Sequence, residues 1–153
     1  MRVFVAGDAG VVARYLVPRL VDRGHQVTAT TTDAAKLDSL RQLGADAVVM
    51  DGLNASSVSA AVVAARPEVI IHEMTAISDK PDIKHMDRWF ATTNLLRTAG
   101  TDHLLAAAVL EAGDADDQLE LVRKRQFPLV GQGTGHSSWV HLDDAANATV
   151  LAV

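Results

Sequence analysis

Val5-Ala6-Gly7-Asp8-Ala9-Gly10-Val11-Val12-Ala13 is the stretch of this chain best suited to chemistry. Its spacing is Gly-x-x-Gly-x-x-Ala, directly after a short β-branched run and directly before a helical pattern. Gly7 permits a tight turn there, and Gly10 lets backbone approach an anion with no side chain in the way. Free N–H groups at the start of the following helix then face that anion. Ala13 is small enough for close helix–strand packing, the part a third glycine plays in dinucleotide-binding loops. The chemistry on offer is the cradling of a pyrophosphate. The bland alternative is a glycine turn in an α/β domain that holds no nucleotide.

Further along, the residues qualify that ligand. The second strand of such a unit ends beside the adenosine ribose, where an acid selects a 2′-hydroxyl and an arginine a 2′-phosphate. Here stand Thr30-Thr31-Thr32-Asp33, which meet neither rule. Asp33 reads more readily as a helix cap than as a ribose ligand. Lys36 reads more readily as a solvated lysine than as a phosphate ligand, so the sequence leaves NAD and NADP both open. Asp51 is evenly balanced between a hydrogen bond to adenine and a turn.

Other constellations fall away. The six histidines, at 25, 72, 85, 103, 136 and 141, include no pair at helical ligand spacing. His72-Glu73-Met74-Thr75-Ala76 lacks the second histidine of a zinc-protease motif. Ser137, His141 and Asp143 have no Gly-x-Ser-x-Gly elbow, and Ser137 and His141 share one short extended segment. Gly131-x-Gly133-x-Gly135 precedes a strand-like run, so no helix N-terminus awaits an anion there. Trp89 and Phe90 read as core or as a subunit contact.

The glycine loop needs elements to position it, and periodicity supplies them. Strands are predicted at 2–6, 26–30, 47–50 and 69–72, with helices at 11–22, 33–43 and 55–65 between them. Near-continuous apolar strands joined by helical crossovers imply a parallel sheet covered on both faces. That is half of a Rossmann-type, doubly wound α/β sheet. Beyond it, 87–112 reads as one long helix bent near Gly100, and 116–125 as a charged helix. Leu129-Val130 and 138–141 read as short strands, and Asp143 as the cap of a last helix. The expected division is a dinucleotide-binding portion, 1–113, and a small C-terminal helical and strand portion, 114–153.

Composition narrows the class. The chain has 153 residues, 48% of them apolar and 22% charged, which suits one soluble globular domain and not a disordered chain. A net charge of −5 with no basic run speaks against nucleic acid or anionic lipid as partner. Zero cysteines exclude a disulfide scaffold, a thiolate metal site and a cysteine nucleophile. No apolar run approaches the roughly eighteen residues of a membrane span, and the first residues read as a strand and not as a signal peptide. The expected compartment is the cytoplasm.

The Gly7 loop, Arg23-Gly24-His25-x-Val27, Asp51 and Pro67-Glu68-Val69-Ile70-Ile71-His72 together resemble an extended or atypical short-chain dehydrogenase/reductase, of the NAD-dependent epimerase/dehydratase group. Trp139-Val140-His141-Leu142-Asp143-Asp144-Ala145-Ala146 is similar to that group's Phe-Val-His-x-Asp-Asp-x-Ala segment. The resemblance implies NAD or NADP as cofactor and an oxidoreductase or sugar-nucleotide-type epimerase or dehydratase activity on a small molecule. It implies that Gly7, Ala9, Gly10, Val11 and Val12 line the pyrophosphate, while Thr31 and Thr32 hold the cofactor-selecting positions. Asp51 and Gly52 would then touch adenine, and His72, Met74 and Thr75 would pass beside the nicotinamide ribose. A homodimer through the 87–112 helix is also implied.

One departure is large. The group catalyses with Tyr-x-x-x-Lys, but the single tyrosine here, Tyr15, lies in the first helix and is followed four residues on by Arg19. The match breaks between Gly113 and about Asp116, where strand five, the tyrosine–lysine pair and strand six have no counterpart. Either the chain is internally deleted, or the intact protein carries residues that this sequence does not show. The second is preferred, because a sheet cut after strand four leaves a hydrophobic edge. A non-catalytic, dinucleotide-binding regulatory module is the alternative function.

Overall fold

Alternation along the first five-residue strand divides the molecule into two cores. β1 (Arg2–Ala6) sends Val3 and Val5 to one face and Phe4 and Ala6 to the other, all four without exposed surface. The computed structural model describes residues 1–7, 11–77, 81–112, 146 and 149–153. β1 pairs in parallel with β2 (Gln26–Thr31) and β4 (Val69–His72), and β2 pairs with β3 (Asp46–Val49). Among the described residues the sheet has four strands, in the order β3-β2-β1-β4.

On one face α1 (Val11–Asp22) packs Leu16, Val17 and Leu20 against Val3, Val5, Val27, Ala29 and Ile71. Leu40 of α2 (Leu37–Gln42) joins them. On the other face α3 (Ala55–Ala65) and α5 (Thr101–Ala112) bury Val58, Ala61, Val62, Leu104 and Ala107 against Phe4 and Ala6. Burial on both faces is what a continuous apolar strand requires. The expected Rossmann-type α/β fold is therefore the fold found.

The bounds of β1, α1, α3 and β4 coincide with the periodicity reading. β2 runs one residue further, to Thr31, because Thr31 pairs with Val49; β3 begins and ends one residue early. The stretch expected as one helix from 33 is a 3-10 turn (Ala34–Lys36) followed by α2. Asp33 does cap it, its Oδ1 accepting from the Ala35 N–H at 2.9 Å. The long helix is three pieces: α4 (Met86–Leu95), a π-helical turn (Leu96–Gly100) and α5. Its irregularity has a packing cause, since a Cβ at Gly100 would stand 3.1 Å from Met74 Cε and 3.5 Å from the Gly52 carbonyl.

Ala146 and Val150 are buried against the α1-side core. The expected helix at 116–125, the strands at Leu129-Val130 and 138–141, and the Gly131–Gly135 turn lie outside the described residues, as does most of the 114–153 portion. Among the described residues no helix is long and apolar enough to cross a membrane.

Candidate functional site

Parallel strands bring all their carboxyl ends to one edge, and the strand order reverses between β1 and β4. In open α/β sheets a ligand crevice forms outside the carboxyl ends at such a reversal. Gly7 stands there, closing β1 at φ +96°. A Cβ on it would lie 2.5 Å from both the N and the Cα of Met74, so the segment after β4 crosses directly over Gly7. Glu73 N–H continues the pairing by donating to the Ala6 carbonyl at 2.8 Å.

β2 is tied to the same turn. Gly7 N–H donates to Thr30 Oγ1 at 3.0 Å, and Thr30 is almost wholly buried. The segment after β4 is pinned from its far side as well. Ala76 N–H donates to Oγ1 of the buried Thr93 on α4 at 3.0 Å. His72 Nδ1 accepts from Met74 N–H at 3.2 Å, which leaves its proton on Nε2, donating to the Leu96 carbonyl at 3.2 Å. His103 Nδ1 lies 3.0 Å from the Gly52 carbonyl and secures the turn after β3. The edge is thus preorganised by bonds that reach between elements.

These contacts frame a cleft of about 250 Å³. Of the residues expected at the site, Gly7, Thr31, Thr32, Gly52, Met74 and Thr75 come together on its wall. Thr30, Lys36, Met50, Ile77 and Leu96 complete it. Ala9 and Gly10 lie outside the described residues, and Val11 opens α1 with its side chain likewise outside them. Val12 is half-buried on α1 and is not on the cleft wall. Asp51 is exposed beside the cleft, its Oδ1 accepting from Leu53 N–H at 2.9 Å, which is the turn role.

His72 faces a second cleft, of about 320 Å³, with Glu73, Arg97 and Thr101; Met74 and Thr75 line both clefts. Glu73 is half-buried, and that burial raises its carboxyl pKa against the opposing pull of His72 and Arg97. A raised carboxyl pKa stabilises the fold in acid, and that stability is lost as pH rises through the folded value. Glu73→Gln is therefore expected to raise stability at neutral pH by less than about 1 kcal/mol, and by nothing in acid. Urea denaturation at both pH values checks this; an equal gain at both contradicts it.

Sequence reasoning missed Glu73, Arg97 and Thr101, and the bond from Gly7 to Thr30. A hydroxyl at a core-facing strand position next to a glycine turn was a usable signal for Thr30. Arg97 and Thr101 carried none, because only the π turn brings them to the end of β4.

Residues 7–132 match the model of a family described as NAD(P)H-binding. Over 112 residues the chain is 43% identical to 3-diazoavenalumate denitrifying reductase of Streptomyces sp, covering 71% of this chain and 34% of the reductase. The structure of UDP-glucose-4-epimerase from Stenotrophomonas maltophila, with bound NAD and formylated UDP-arabinopyranose, aligns over 74% of this chain and 34% of that one. Its TM-score is 0.57 at 20% identity. Serine dehydrogenase from Escherichia coli aligns over 72% of this chain and 56% of its own, with a TM-score of 0.61 at 18% identity. These two structures share the fold. The chain spans 34% of the length of the reductase it matches.

Proposed function

The chain belongs to the NAD(P)H-binding family, and we propose that it is the cofactor-holding part of a reductase acting on a small molecule. The observation that carries this reading is the cleft at the β1–β4 reversal, walled by a glycine turn and the successive residues Thr30, Thr31 and Thr32. Hydroxyls and backbone N–H groups are the donor set that ribose and phosphate oxygens need, so the residues fit a dinucleotide. When bound, the reduced nicotinamide supplies hydride.

The chain's own residues bind and orient. Gly7, Ala9, Gly10, Val11 and Val12 form the pyrophosphate loop, with the first turn of α1 contributing N–H groups. Thr31 and Thr32 face the adenosine ribose, and Gly52 with Asp51 borders adenine. Met74 and Thr75 pass beside the nicotinamide ribose. His72 positions them from behind through its bond to the Met74 N–H.

Reduction is preferred to epimerisation because the relative at 43% identity is a reductase. A regulatory module that binds without turnover is the second reading. It is favoured by Tyr15, which sits on the outer surface of α1 with Arg19 over its ring at 5.9 Å, far from the tyrosine–lysine arrangement of a catalyst. A homodimer through α4 and α5 is supported by Leu95 and Leu110, apolar side chains that those helices leave exposed. A cytoplasmic site of action suits an acidic chain without cysteine.

Titration with NADPH and NADH, followed by cofactor fluorescence, tests the proposal. The wild-type chain is expected to bind saturably, and Gly10→Trp, which fills the loop, to lose binding altogether. Unchanged affinity in that variant overturns the assignment. Binding without turnover of carbonyl compounds or nucleotide sugars supports the regulatory module.

A further inference from the structure

The second cleft, of about 320 Å³, is lined by an acid and a base that are not paired with each other. Glu73 follows β4 directly, and its N–H bond to the Ala6 carbonyl holds its backbone in line with the strand. Arg97 comes from the π turn between α4 and α5, and it is exposed. Both are described residues, and no ion pair joins them. Burial outweighs the pull that His72 and Arg97 exert on the Glu73 carboxyl, so that carboxyl leans toward its neutral form.

His72 has both ring nitrogens bonded to the chain, accepting from Met74 N–H and donating to the Leu96 carbonyl. Thr101 donates its hydroxyl proton to the Arg97 carbonyl at 2.8 Å, which steadies the turn that carries Arg97. Among the described residues of this wall, the side-chain donors left for an incoming molecule are the Arg97 guanidinium, the Thr75 hydroxyl and a protonated Glu73. A fork of N–H groups beside a neutral carboxyl suits a carboxylate, whose two oxygens a guanidinium grips together. A neutral amide or alcohol gains far less there.

We infer that the second cleft seats a small organic carboxylate, gripped by Arg97 beside Glu73, and that the substrate of the reductase is such an acid. This rests on the dinucleotide reading of the main cleft and adds the class of substrate. Met74 and Thr75 line both clefts, so an acid held at Arg97 has its other end against the dinucleotide. An anion bound beside Glu73 adds a like charge, which favours the protonated carboxyl and makes affinity rise as pH falls.

The experiment titrates benzoate and its neutral analogue benzamide into the chain, with and without saturating NADPH, and follows amide chemical shifts. Benzoate is expected to move the Glu73, Arg97 and Thr101 amides saturably and to bind at least about tenfold more tightly than benzamide. NADPH should leave that affinity equal or higher. Arg97→Met should remove the preference for benzoate. Arg97 is exposed and the Thr101 bond goes to its carbonyl, so this variant is expected to melt as wild type does. The wild type should bind benzoate more tightly as pH falls from mildly alkaline to mildly acidic. Glu73→Gln should bind it about threefold more tightly than wild type at the alkaline end and lose the pH dependence. Benzamide bound as tightly as benzoate overturns the inference, as does a preference that survives Arg97→Met, or displacement of benzoate by NADPH. A pH dependence that persists in Glu73→Gln overturns the part given to Glu73. NADPH that fails to bind overturns the reading of the main cleft, and with it the claim that the acid is a substrate.

Discussion

Gly7→Ala is expected to destabilise the protein by about 3 kcal/mol and to abolish dinucleotide binding. Two costs add at this position. At φ +96° an L side chain is strained whatever the space around it. The added methyl would also stand 2.5 Å from backbone atoms of Met74, which cannot rotate away as a side chain tip can. Relief requires lifting the segment after β4, which breaks the Glu73–Ala6 bond and moves Met74 and Thr75 on the cleft wall. Gly24→Ala separates the two costs, because Gly24 has φ +81° and nothing within 4 Å of its built Cβ. That variant is expected to lose only about 1 kcal/mol and to bind normally. Chemical denaturation of both, with a cofactor titration, checks the pair. Equal losses would mean that the Met74 approach does not constrain the site.

His72→Leu carries the second large effect, about 2 kcal/mol of stability. The ring is a clamp: it satisfies the Met74 N–H on one side and the Leu96 carbonyl on the other. A leucine keeps much of the bulk and leaves both backbone groups unpaired in a half-buried position. Met74 reaches under Gly52 and Gly100, its Sδ lying 2.3 Å from a Cβ built at Gly52. Loosening it therefore opens the junction of β4, the β3 turn and the π turn together. The amides of Met74 and Ala76 are expected to exchange hydrogen faster, and cofactor affinity to fall with them. Unchanged exchange at Met74 would contradict the positioning role.

The sheet was legible because its signals are local. Val3 to Ala6 and Val69 to His72 are short apolar runs bounded by turn residues, and α1 and α3 repeat apolar residues at helical spacing. Gly7 was legible for the same reason, as glycine after a strand. What stayed hidden depends on elements far apart in the chain. The Thr30–Gly7 bond spans 23 residues and the His72–Leu96 bond 24, and no period or motif encodes either. His72, expected beside a nicotinamide ribose, has its ring bonded to the Met74 N–H and the Leu96 carbonyl and lines the neighbouring cleft with Met74 and Thr75. Asp51 was balanced between ligand and turn, and its Oδ1 accepts from Leu53 N–H, while Asp33 reads as a helix cap and its Oδ1 accepts from Ala35 N–H. Lys36 lines the cleft and is exposed, as a lysine that reads as solvated should be.

The central claim is that a dinucleotide occupies the carboxyl edge of the sheet where β1 and β4 diverge. Amide chemical-shift mapping during NADPH titration tests it most directly. The account predicts the largest shifts at Gly7, Thr31, Thr32, Gly52, Met74 and Thr75, with the opposite edge unmoved. Shifts gathered instead around Arg2, Gln26 and Asp46, which line a groove at that opposite edge, would contradict it.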